Sequence, residues 1–140
     1  MFTGIISQTS KVQRIKSQKG GLQVEILNNL KKIKRGESIS VDGVCSTVKK
    51  SSRNISFEYM PETLKLSNLG SLKKNDIVNI EQSMRLGDKL DGHIVLGHVD
   101  QKGQIVSIRK EGNSRVFEIK VPEKRFMKFL VHKGSVAVEG

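Results

Sequence analysis

Two stretches of this chain repeat one pattern at a near-constant offset, and that duplication narrows the folds open to it. Gly97-His98-Val99, followed by Ile105 and Ile108, repeats Gly4-Ile5-Ile6, followed by Val12 and Ile15; 93 positions separate 4 from 97 and 15 from 108. Val136-Ala137-Val138-Glu139-Gly140 repeats Ile39-Ser40-Val41-Asp42-Gly43 at an offset of 97, and a few inserted loop residues account for the difference. Self-similarity at a long, fixed period signals one structural unit used more than once. The expected organisation is therefore a first unit over 1–96 and a second over 97–140 that stops just after its turn. A half-built second unit would leave strand edges and an apolar face uncovered. Residues 98–140 are accordingly expected to pack poorly alone, or to be closed by another chain.

The unit reads as β. Leu22, Val24 and Ile26 alternate with Gln23 and Glu25, and Ile55, Phe57 and Tyr59 alternate with Ser56 and Glu58. This is the period of a half-buried strand. Further strands are expected over residues 3–16 and over Ile77-Val78-Asn79-Ile80-Glu81. Asp42-Gly43 suits the positive φ angles of a tight turn, so Ser38 to Val48 reads as a hairpin. Lys49 to Asn54 reads as a polar turn. Leu30 and Ile33 are three apart, which predicts a helical turn over Leu27 to Ile33 ending at Gly36. Pro61 fits the first position of a short helix. Residues 82–97, punctuated by Gly87, Gly92 and Gly97, read as a connector. In the second copy a strand is expected over Val116 to Val121, then a short helix from Pro122 with Phe126, Phe129 and Leu130 on one face. About six short strands in the first 81 residues suggest an antiparallel barrel or sandwich.

Composition removes several function classes. Lys and Arg outnumber Asp and Glu by 25 to 14, a net charge of +11, which would suit an anionic partner. The basic residues are scattered in twos and threes, however, so a solvated surface explains them. Aromatic residues are 4% of the chain with no Trp, too few for a base-stacking platform. A basic RNA-binding β-barrel is thus a rival reading but a poorly supplied one. The single cysteine, Cys45, excludes an internal disulfide and disfavours a thiolate zinc site. His93 and His98, five apart, would face opposite sides of an extended chain, so no metal is expected. The N-terminus is not a signal peptide, and no apolar run spans a bilayer. A cytoplasmic protein with no membrane or nucleic-acid partner is expected.

Taken in order, Met1-Phe2-Thr3-Gly4-Ile5-Ile6, Val41-Asp42-Gly43-Val44-Cys45-Ser46-Thr47-Val48, Met60-Pro61-Glu62-Thr63-Leu64, Asn68-Leu69-Gly70, Gly92-His93-Ile94-Val95-Leu96-Gly97-His98-Val99-Asp100 and Lys133-Gly134-Ser135 resemble the riboflavin synthase family of alpha-chain type. The resemblance covers the whole chain. It implies an all-β protein of tandem six-stranded Greek-key barrels, each a lumazine-binding repeat, the second incomplete here. It also implies a C-terminal helix, absent from this sequence, that assembles a homotrimer. The family activity is the dismutation of two molecules of 6,7-dimethyl-8-ribityllumazine. A four-carbon unit passes from one to the other, giving riboflavin and 5-amino-6-ribitylamino-pyrimidinedione. No cofactor and no metal are implied. A non-catalytic lumazine- or flavin-binding relative is the alternative.

That chemistry explains the residue types. The C7 methyl of the lumazine is acidic because its carbanion delocalises into the ring. One substrate must lose that proton and the other must accept a nucleophile at C7, so acid–base, hydroxyl and thiol groups are needed. By position, the resemblance gives His98, Cys45 and Ser38 as catalytic residues, with an imidazole suited to proton transfer near neutral pH. It gives Gly4, Ile5, Ile6, Cys45, Ser46, Thr47, Glu58, Tyr59, Met60, Pro61, Glu62 and Thr63 as the substrate contacts of the first barrel. Gly97, His98, Val99 and Lys133 are those of the second. Read without the family, Cys45 is a small buried apolar residue, Ser46 and Thr47 are ordinary strand residues, and Lys133 is one lysine among many. Two residues depart from the family pattern: Ser46 replaces a usual leucine, and Glu139 a usual aspartate.

Overall fold

A computed structural model of the protein describes residues 1–30 and 32–140. It separates into two compact units, Met1–Val99 with Ala137–Gly140, and Asp100–Val136.

The first unit is built on seven strand segments: β1 (Gln8–Gln18), β2 (Gly21–Leu27), β3 (Ser38–Val41), β4 (Val44–Thr47), β5 (Lys50–Ser51), β6 (Asn54–Tyr59) and β7 (Ile77–Gln82). Their order in the sheet is β4-β3-β7-β1-β2-β6-β5, and every pairing is antiparallel. The outermost segments, β4 and β5, are separated only by Val48 and Lys49. The Val48 N–H donates to the Glu37 carbonyl at 2.9 Å, and the Lys49 N–H to the Ser56 carbonyl at 2.9 Å. One bent strand therefore pairs with β3 on one side and β6 on the other, and the wall closes. Counted so, the unit is a six-stranded Greek-key barrel. The predicted polar turn over Lys49 to Asn54 is mostly the far end of this bent strand, with the turn itself at Ser52-Arg53.

The alternation read from the sequence fills the interior. Val24 and Ile26 of β2, Ile39 and Val41 of β3, Ile55 and Phe57 of β6, and Val78 and Ile80 of β7 are all fully buried. The rings of Phe57 and Tyr59 stack with centroids 6.2 Å apart. Leu69, from a 3₁₀ turn over Asn68–Ser71, joins the same core. The β3–β4 hairpin turns on Asp42 (φ 46°) and Gly43 (φ 82°), both positive as a two-residue turn of this hand demands. Pro61 opens α1 (Pro61–Leu66) as expected.

Three expectations need correction. The strand predicted over residues 3–16 begins only at Gln8, because Gly4 takes φ +77° and turns the chain. No helical turn forms over Leu27 to Ile33 among the described residues; Lys31, inside that prediction, lies outside them. Instead β2 runs on to Leu27, the Asn28 side chain accepts the Leu30 N–H at 3.1 Å, and its amide donates to the Ser52 carbonyl at 2.8 Å. A short polar side chain that bonds the backbone locally competes with the helix. The expected helix from Pro122 is a 3₁₀ turn, Lys124–Phe129, whose Phe129 is exposed.

The second unit is a hairpin of β8 (Gln104–Glu111) and β9 (Ser114–Lys120), followed by that 3₁₀ turn. Its register repeats that of β1–β2, including the irregularity: the pairing slips between Val12 and Arg14 in the first, and between Ile105 and Ser107 in the second. Both ends of the slip are 93 residues apart, the offset read from the sequence. Burial differs. Val12 and Val24 are fully buried, whereas their counterparts Ile105 and Phe117 are 56% and 51% exposed. Among the described residues no helix is long and apolar enough to cross a membrane.

Phe57→Ala should lower the unfolding free energy by about 3–5 kcal/mol in urea titrations, since it removes a filled core volume. Phe117→Ala, at the half-exposed counterpart of Val24, should cost less than about 1 kcal/mol in the same titration.

Candidate functional site

Glu81 organises the loop that carries Gly4 and Ile5. The alternation of β7 puts it on the outer face, yet it is 5% exposed, because the N-terminal segment crosses it. Its carboxylate accepts three bonds: the Thr3 N–H at 2.5 Å, the Thr3 hydroxyl at 2.7 Å and the Gly4 N–H at 3.1 Å. Thr3 Oγ1 in turn accepts the Ile5 N–H at 3.1 Å. Charge-assisted bonds of this kind are about twice as strong as neutral ones. They fix Gly4 and leave the Ile5 side chain 49% exposed.

The N-terminal segment and the connector pair antiparallel at one bridge. Phe2 and Val95, 93 residues apart, exchange backbone bonds: the Phe2 N–H donates to the Val95 carbonyl at 2.8 Å and the Val95 N–H to the Phe2 carbonyl at 3.0 Å. Gly4 and Gly97 both have φ +77°. The Gly97 carbonyl accepts the Cys45 N–H at 2.8 Å, and a Cβ at position 97 would come within 2.9 Å of Cys45 Cβ and 3.0 Å of the Phe2 ring. Only glycine fits there. Cys45 and Gly97, assigned by resemblance to different barrels, are thus in direct contact, and exposed His98 follows immediately. Val99 packs against the core.

Along β4 the side chains divide. Val44 and Ser46 face inward, while half-buried Cys45 and exposed Thr47 face out. Ser38 pairs opposite Thr47. Ser46 and Tyr59, both expected contacts, are core residues: their hydroxyls bond each other at 2.9 Å, and the Ser46 hydroxyl also lies 2.9 Å from the Val44 carbonyl, which accepts from it. Burial holds the Tyr59 phenol well above its ordinary range, so it stays neutral. The hydroxyl of Ser46 thus satisfies a buried phenol, a task leucine could not perform. Glu58 is on the surface, 3.6 Å from Lys49. Met60, Pro61 and Glu62 are exposed at the start of α1, and half-buried Thr63 accepts the Ser67 N–H and hydroxyl through its carbonyl. Ile6 lies against Gly140. Lys133, at φ +59°, is an exposed residue of the second unit.

A cleft of about 690 Å³ opens beside this region. Thr3, Ile5, Ser38 and Glu81 line it, with Arg85 and Lys89 of the connector. Ser38 and Ile5 are the expected site residues it collects; Cys45, Thr47 and residues 58–63 are not among its described lining. Sequence reasoning missed Glu81 and also Asp42, whose carboxyl is pushed up to about 6 by burial, and further by the nearby Glu139 carboxylate, against the bond it accepts from the Asn79 backbone.

A closed barrel with a rigid hairpin turning small hydroxyl and thiol groups outward, beside a glycine-lined backbone edge, is an architecture on which small-molecule sites can be built. The family model described as the lumazine binding domain matches residues 3–83 and 96–140. The riboflavin synthases of Actinobacillus pleuropneumoniae, Brucella abortus and Escherichia coli are 40%, 37% and 32% identical to the chain over its whole length. The chain covers 66%, 73% and 68% of them, so it spans about two thirds of these curated relatives. Crystal structures of LumP complexed with 6,7-dimethyl-8-(1'-D-ribityl) lumazine and with riboflavin share the fold at TM-scores of 0.78 and 0.79 and 20% identity. They cover 89% and 91% of this chain, and 71% of each LumP chain is matched. The chain belongs to the riboflavin synthase family, which is built on the lumazine-binding domain.

Two outcomes follow for the groups that sequence reasoning missed. Glu81→Gln should cost about 1.5–3 kcal/mol, since an amide cannot accept all three bonds, and should speed hydrogen exchange at Thr3 and Gly4. The Asp42 carboxyl, raised from 3.8 to about 6, favours the folded state when protonated. Its contribution is full below pH 3.8 and lost as pH rises through about 6. Thermal denaturation should therefore show the stability of the wild type relative to Asp42→Asn falling between pH 4 and pH 7.

Proposed function

We propose that the protein is a riboflavin synthase. The observation that carries this reading is the run of riboflavin synthases at 32–40% identity across its full length. In this reading 6,7-dimethyl-8-ribityllumazine binds at the first barrel, along Gly4 to Ile6, the Cys45–Thr47 arm and the start of α1. Cys45, Thr47 and Ser38 supply thiol and hydroxyl groups on the outward face of the β3–β4 hairpin. His98 moves the C7-methyl proton, and Gly97, Val99 and Lys133 contact the second lumazine. Ser46 and Tyr59 act from inside the barrel, holding β4 against β6 rather than touching the ring. Transfer of the four-carbon unit needs two lumazines face to face, so barrels of neighbouring chains come together, in the family as a homotrimer. The lone cysteine suits a cytoplasmic enzyme.

Mixing the protein with 6,7-dimethyl-8-ribityllumazine tests the reading. Growth of riboflavin absorbance is the expected result, and its rate should fall by about 10²–10⁴ in His98→Ala. A shift in lumazine fluorescence without product would instead support the non-catalytic binder. No response at all would overturn both.

A further inference from the structure

Asn79, in the middle of β7, stands where the two duplicated turns meet. Its backbone exchanges two bonds with Asp42: its N–H donates to Asp42 Oδ1 at 2.7 Å, and its carbonyl accepts the Asp42 N–H at 2.9 Å. Its side-chain amide donates to the Glu139 carbonyl at 3.0 Å. The Glu139 carboxylate accepts from the amide of Asn68. Beside these bonds the turns touch glycine to glycine: a Cβ on Gly43 would lie 2.7 Å from the Gly140 nitrogen. The turns also share a backbone form, with φ of 46° and 82° at Asp42-Gly43 and 55° and 92° at Glu139-Gly140.

We infer that Asn79 is a positioning residue that fastens the second repeat's turn onto the first, and so fixes the hairpin bearing Cys45 against Glu139-Gly140. The side chain must donate, because the group it meets is a carbonyl. It must also be short, because the same residue's backbone is already bonded to the other turn. Two carboxylates, Asp42 and Glu139, approach each other here, and neither forms an ion pair among the described residues. The seam is therefore held by amide donors rather than by charge pairing. Gly43 leads into Cys45 two residues later, so a displaced turn moves the outward-facing arm. That last step, and only that step, rests on the proposed lumazine reading.

The Asp42 carboxyl reports on the seam. The groups facing it are the Asn79 backbone on β7 and the Glu139 carboxylate on the second turn, with Tyr59 close enough to feel its charge. Removing the covering turn removes both the burial and the Glu139 charge that hold the carboxyl high. In NMR titrations of Asn79→Ala, the Asp42 midpoint should fall from about 6 by about one unit or more. The Gly43 and Gly140 amide signals should shift together, while the Asp42 amide stays protected because its backbone acceptor remains. Gly140→Ala, whose Cβ would meet Ile6 Cδ1 at 2.7 Å, displaces the turn without touching β7 and should give the same fall. An unmoved midpoint and unmoved glycine signals in folded Asn79→Ala would overturn the inference. So would a fall in Gly140→Ala alone, including the case where Asn79→Ala does not fold and Asn79→Ser titrates like the wild type. Lumazine affinity is read separately: a loss of about tenfold in Asn79→Ala extends the positioning role to ligand binding. A fallen midpoint with unchanged affinity keeps the fastening and overturns only its extension to the ligand, whereas no lumazine binding by the wild type would count against the functional reading.

Discussion

The backbone corner at Val48 and Lys49 is what makes the first unit a barrel rather than an open sheet. Two consecutive residues hand the pairing from β3 to β6, through the bonds of Val48 to Glu37 and Lys49 to Ser56. With the edge consumed in this way, no row of unpaired donors is left along β4. The interior then has one inside, and the alternating Val, Ile and Phe residues of five strands can share it. The outward phase of β4 is a consequence: once Val44 and Ser46 are committed to the interior, Cys45 and Thr47 must face out.

The site depends on the same constraint at second hand. Glu81 lies on the outer face of β7 and would be a solvated carboxylate if nothing crossed it. The N-terminal loop does cross it, because Phe2 is buried beside Gly97 and paired to Val95. The loop thereby delivers three donors to one carboxylate. Gly4 and Gly97, each two residues past the Phe2–Val95 bridge, take matching positive φ angles that turn the chain away from it. Cys45 is then placed by its backbone, through the Gly97 carbonyl, and its thiol has no hydrogen-bond partner among the described residues.

Much of this was legible in the residues. Leu22-Val24-Ile26 and Ile55-Phe57-Tyr59 announce strands because burial on one face imposes a period of two. Asp42-Gly43 announces its turn because few residue pairs tolerate two positive φ angles. The repeat was legible as an offset of 93, and the register slips at Val12 and Ile105 keep that offset. The helical turn at Leu27 to Ile33 misled, because two apolar residues three apart fit a loop that dips into the core as well as a helix. The Asn28 side chain decides between them, and its partner at Ser52 is 24 residues away. Glu81 and Asn79 carried no local signal at all. Each looks like a solvated strand residue, and what defines it arrives from residues 78 and 60 positions distant.

The reciprocal pair of Phe2 and Val95 also bears on how the protein is made. The first residues to leave the ribosome are among the last to find their partners, since the segment that receives them lies more than ninety positions downstream. Until that segment emerges, Phe2 lacks its backbone partner Val95 and the Gly97 backbone that its ring lies against. Contacts this distant in sequence form slowly and leave apolar surface exposed meanwhile. The barrel wall needs nothing beyond Gln82, so the nascent chain can close it early, while its first residues stay unanchored until the connector that leads into the second repeat emerges.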